Sequence, residues 1–175
     1  MKVEFGKNAR AVLKWGIYLL LLLLLCGLQG APGLFAVWGV KPVFVAPLAV
    51  AVAFFEREGA SAAFGVAAGF LWDLSAGKLF GFYGMVLLVC CAAVTLLSMY
   101  CIRVNLANFL LLCLGVSLLC GLWNFFFYSF IWGYDGALLY FWKALAQTAY
   151  TALPAIPIYY LVRWLTDKLS LTVRA

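Results

Sequence analysis

Six apolar stretches, divided by short polar or glycine-rich breaks, make up most of the chain: residues 11–28, 42–55, 60–74, 82–101, 106–130 and 139–162. Runs near or above ~18 apolar residues are the mark of membrane-spanning helices, and the pattern predicts an all-α integral membrane protein, a single six-helix transmembrane bundle. The first stretch carries seven consecutive leucines, Leu19 to Leu25, and ends at Gln29, Gly30, Pro32 and Gly33. The second opens at Pro42, a residue suited to a helix start. Gly133, Tyr134, Asp135 and Gly136 turn the fifth stretch into the sixth. Pro154 and Pro157 are expected to kink the last helix.

Stretches two and three are short. At 1.5 Å per residue, about 15 helical residues reach only ~22 Å of a ~30 Å hydrocarbon core. A re-entrant hairpin would bring Glu56, Arg57 and Glu58 near mid-membrane, at a cost of several kcal/mol. Two short crossing helices with local thinning place these charges in water instead, and that is the expected arrangement. Basic residues near the N-terminus followed by the leucine run resemble a signal peptide, but Gly30-Ala31-Pro32 is a poor cleavage site, so an uncleaved first helix is expected.

Composition sharpens this picture. The 175 residues are 68% hydrophobic and only 10% charged, against about 45–50% and about 25% in soluble domains, which excludes a water-covered fold. Six crossings with both termini in the cytoplasm put nine cations inside (Lys2, Lys7, Arg10, Lys14, Arg57, Arg103, Arg163, Lys168, Arg174) and three outside (Lys41, Lys78, Lys143), as the positive-inside rule requires. The net charge of +6 is thus assigned to lipid-facing ends. No basic stripe with interleaved aromatics points to nucleic acid.

The sequence contains no histidine, which removes Ser–His nucleophiles, histidine proton shuttles and histidine metal ligands. Cys26, Cys90, Cys91, Cys101, Cys113 and Cys120 form no C-x-x-C pair and read as small hydrophobes. Aromatic residues from Trp123 to Trp142 band as an interfacial girdle or, less simply, a docking surface. Asn124, Gln147 and Thr148 are candidates for interhelical hydrogen bonds.

One pattern is more specific. Gly65, Gly69, Asp73, Gly77 and Gly81 recur every four residues, so that small residues stack on one helical face and admit a second backbone. This face packs the bundle or receives a partner helix. Asp73 is the only acid between Ala60 and Cys101, and an ionisable group there needs a reason. Three roles are open: accepting backbone N–H bonds in the Ser75–Gly81 turn, contacting a partner, or catalysis and transport. Lys78 is its nearest candidate counter-charge. A carboxylate pair with Asp135 has little support, because Asp135 falls in a Gly-Tyr-Asp-Gly turn.

The basic N-terminus, the leucine-rich first helix, the Lys41-Pro42-Val43 start and the string Gly65…Gly69-Phe70-Leu71-Trp72-Asp73-Leu74-Ser75…Gly77…Gly81 together resemble the bacterial rod shape-determining MreD family. The resemblance in length and segment order covers nearly the whole chain, with a departure at Val43, where an acidic or amide residue often follows the family's proline. It implies a non-enzymatic scaffold of the cell-elongation complex in the bacterial cytoplasmic membrane. Such a scaffold binds the single-pass protein MreC and, indirectly, works with a SEDS-type glycan polymerase, a penicillin-binding transpeptidase and MreB in peptidoglycan synthesis. No cofactor is implied. The resemblance also implies a fold like the S-components of energy-coupling-factor transporters, so the alternative function is a vitamin-binding subunit. Such a subunit needs convergent polar groups, and Asp73, Asn124, Gln147 and Tyr150 are the sparse candidates. A membrane hydrolase or transferase is a third reading without a nucleophile–base pair.

Overall fold

The computed structural model describes residues 2–31, 40–77, 79–127 and 137–169, with the backbone alone for 2–9 and 137–140. Its elements are six α-helices: α1 (Lys2–Gly30), α2 (Val45–Phe55), α3 (Glu58–Ala76), α4 (Phe82–Tyr100), α5 (Leu106–Phe125) and α6 (Ala137–Leu169). Arg10–Gly30, Phe82–Tyr100 and Leu106–Phe125 are long and apolar enough to cross a bilayer. α1 begins nine residues before Ala11, and α6 runs unbroken through Pro154 and Pro157 to Leu169. α5 stops short of Phe130, which, with the Gly133–Gly136 turn, lies outside the described residues.

α2 organises the rest. It begins at Val45 rather than at Pro42, which is buried just ahead of the helix. Pro47 occupies its first turn, where a missing N–H leaves no hydrogen bond unmade. Every residue from Val45 to Phe54 is buried, and α2 touches each of the other five helices. Its length of roughly 16 Å at 1.5 Å per residue therefore needs no thinned bilayer, because protein rather than lipid surrounds it. Alternating Ala49, Ala51 and Ala53 keep the helix slender enough for this.

An enclosed helix must find internal partners for the N–H and C=O groups at its ends. At the start of α2, Gln29 Oε1 on α1 accepts from the N–H groups of Phe44 (2.9 Å) and Val45 (3.2 Å), while Thr151 Oγ1 on α6 accepts from Val43 N–H at 3.1 Å. At the other end, the Thr95 hydroxyl of α4 lies 2.8 Å from the Ala53 carbonyl and 2.7 Å from Ser61 Oγ on α3. Phe54, Phe55, Phe109 and Tyr159 then pack ring to ring, tying this end to α5 and α6.

The charges after α2 divide. Arg57 and Glu58 are exposed, but Glu56, expected to lie in water with them, turns inward. Its carboxylate pairs with Lys14 of α1 and accepts from the Tyr18 hydroxyl at 3.2 Å. Tyr18 is fully buried and also meets Thr166 Oγ1 of α6 at 3.0 Å. The reason is that the ammonium of Lys14, itself only 8% exposed, would otherwise be a buried charge without a counterion.

Removing one member of this pair strands the other. Glu56→Ala should lower stability by about 3–5 kcal/mol, read as a fall in the denaturation midpoint in detergent micelles. The double variant Lys14→Met/Glu56→Leu should recover most of that loss, and equal losses in the single and double variants would show that the pair is not what matters.

Candidate functional site

The glycine–aspartate face lies along α3 where it meets α4, the most extensive contact between any two helices. The five residues do not all serve the same end. At Gly65, a Cβ would sit 2.8 Å from Cys91 Sγ and 2.9 Å from the Leu87 carbonyl oxygen; at Gly69 it would overlap the Gly84 backbone and come within 2.7 Å of the Tyr83 carbonyl carbon. A real side chain does not reach such distances, so hydrogen is the only substituent these positions admit. Gly69 faces Gly84, and the two backbones touch there.

Gly77 and Gly81 serve the turn instead. Gly77 adopts φ +62°, ψ +32° and closes α3 with its N–H on the Asp73 carbonyl, a left-handed cap that glycine takes without strain. Gly81 precedes α4 at φ +91°. A Cβ at Gly77 would meet nothing within 4 Å, so the backbone conformation, not crowding, calls for glycine there.

Asp73 joins the two halves of the motif. It is fully buried. One carboxylate oxygen accepts from Gly81 N–H at 2.9 Å, and the other from Tyr83 N–H at 2.9 Å. Gly81 stands at the N-cap of α4, where Ser, Thr, Asp or Asn would normally supply the capping oxygen; Asp73 supplies it from the preceding helix. Its carboxyl group also sits at the positive end of the α4 macrodipole. Lys78, the counter-charge expected from sequence, lies outside the described residues, as does Asp135.

The cap positions more than backbone. Trp72, next to Asp73, stacks on Tyr83, with ring centroids 4.0 Å apart and planes 9° from parallel. This stacked pair forms part of the wall of a cavity of about 230 Å³ at the end of the bundle where α2 begins. Asn124 and Gln147, foreseen as polar candidates, line the same cavity with Thr148; Asp73 and Tyr150 do not. Gln29, Lys41 and Ser117, none of them a polar site candidate by sequence, also line it. In the sequence Gln29 marks the end of the first apolar stretch, Lys41 directly precedes the second, and Ser117 sits inside the fifth. Five of the six cysteines are buried, and Cys101, at the end of α4, is exposed.

Residues 9–169 match the family model described as rod shape-determining protein MreD. No curated protein and no solved structure matches the chain.

Gly69→Ala should cost about 1–3 kcal/mol or more through overpacking of α3 against α4. Gly115→Ala, in a helical position with open space around it, should be neutral or stabilising by up to about 1 kcal/mol. Thermal unfolding of both variants in the same detergent checks the contrast. Asp73→Ala should lose about 1–3 kcal/mol for each stranded N–H, with Asp73→Asn intermediate because one acceptor oxygen survives. A fully stable Asp73→Ala variant would remove the capping role.

Proposed function

The chain belongs to the MreD family of rod shape-determining proteins, and from that premise we propose that it is a non-enzymatic scaffold of the bacterial cell-elongation complex, embedded in the cytoplasmic membrane. The match to residues 9–169 carries this reading. All six helices cross in the proposed arrangement, with both termini in the cytoplasm; α2 is the short member, whereas α3, expected to be short, extends over Glu58–Ala76 and matches α4 in length. The placement of charge supports it: among the described side chains Arg10, Lys14, Arg57, Arg103, Arg163 and Lys168 belong to the end holding the Glu56 pair, and Lys41 and Lys143 belong to the other. A fold like that of the transporter S-components belongs to the same proposal.

The scaffold acts by presenting helix surfaces to a single-pass MreC-like protein, and through it supports the glycan polymerase, the transpeptidase and MreB filaments in peptidoglycan synthesis. Within the chain, α4 covers the Gly65–Gly69 face and Asp73 is committed to the α4 cap. We therefore assign this face to internal packing, which holds the scaffold in shape, and leave the partner to another surface. Association in lipid relies on close van der Waals packing and a few interhelical hydrogen bonds, and a rigid bundle keeps such a surface in register. The cavity volume of about 230 Å³ falls below the ~300–1,000 Å³ usual for drug-sized ligands, which weighs against the alternative of a vitamin-binding transporter subunit.

Affinity purification of the tagged chain from native membranes tests the proposal. An MreC-like single-pass protein should co-purify, together with wall-synthesis enzymes, and depletion of the chain in a rod-shaped host should round the cells. Recovery of an ATPase module with a tightly held vitamin, and cells that keep their shape on depletion, would replace the scaffold reading with the transporter one.

A further inference from the structure

The cavity at the start of α2 has a donor set that no packing role uses. Ser117 is 8% exposed and its hydroxyl has no hydrogen-bond partner among the described residues, a state that is costly when nothing fills it. The side-chain amides of Asn124 and Gln147 also make no hydrogen bond among the described residues, although both line the cavity. Lys41 spends one proton on the Ala31 carbonyl at 3.1 Å and has no ion-pair partner among the described residues. No carboxylate from the described residues lines the space. Trp72 and Tyr83 close one side as a flat, stacked wall.

We propose that this cavity binds a small hydroxylated phosphate ester of the phosphoglycerol type. Lys41, Asn124, Gln147 and Ser117 offer roughly seven free N–H and O–H donors, more than the about four acceptor sites of a carboxylate and suited to a phosphate with neighbouring hydroxyls. Lysine supplies a point charge to such a group. The volume of about 230 Å³ accommodates a headgroup and not an acyl chain or a nucleotide. The shared chemistry has two sources, the headgroup of phosphatidylglycerol in the surrounding bilayer and a soluble glycerol phosphate. The Asp73 cap contributes indirectly, because it fixes Tyr83 and with it the wall. This inference is independent of the scaffold reading.

Native mass spectrometry of the purified full-length chain, released from nanodiscs of equal phosphatidylglycerol and phosphatidylethanolamine content, reads the lipid source. Titration with sn-glycerol 3-phosphate in detergent reads the soluble one. Preferential retention of phosphatidylglycerol, or saturable binding of sn-glycerol 3-phosphate, is expected, and each should fall about tenfold in Lys41→Ala and in Gln147→Leu. Should Lys41→Ala fail to fold, the wild-type measurements and Gln147→Leu decide alone. Binding of neither probe, which leaves the cavity to water, overturns the proposal. So does binding that Gln147→Leu and a folded Lys41→Ala leave unchanged.

Discussion

A short helix with no lipid contact must have its ends served by other parts of the protein, and the bundle is arranged around that requirement. α2 is buried from Val45 to Phe54, and its terminal N–H and C=O groups turn to side chains of neighbouring helices. Gln29 and Thr151 meet one end and Thr95 the other, so α1, α4 and α6 each lend a polar side chain to the same helix. Left unmade, each such bond would cost on the order of a few kcal/mol in an apolar setting. The helices that touch lipid are thus positioned by the one that does not.

The α3–α4 contact follows a second logic, in which closeness and capping come from one stretch of sequence. Gly65 and Gly69 permit the approach, Gly77 and Gly81 permit the turn, and Asp73 holds the start of α4 by accepting from Gly81 and Tyr83. Burying a carboxyl group is costly on its own; two backbone donors and a helix N-terminus offset that cost. The same bonds set Tyr83 against Trp72, which links the packing of two helices to the shape of a cavity.

Long apolar runs made α1, α4 and α5 legible from the sequence, since their residues face lipid or core and hydropathy alone marks them. α2 was legible as a helix but not as an enclosed one: an apolar stretch of its length looks the same whether lipid or protein surrounds it. Glu56 was read with Arg57 and Glu58 as one solvated cluster because neighbours in sequence share an environment on average. Lys14, 42 positions away in the chain, breaks that average by drawing Glu56 inward. Asp73 stood out as a lone acid, yet its bond to Tyr83 N–H depended on how the turn closes. Gln29 carried no advance sign of its role, since an amide at a helix end is equally at home as a terminator and as a cap for a neighbour.

The bond from Val43 N–H to Thr151 spans most of the chain and imposes an order on biosynthesis. α2 emerges from the ribosome long before α6, so its start lacks an acceptor until the last helix is made. Only the arrival of the final segment completes the polar contacts around the enclosed helix.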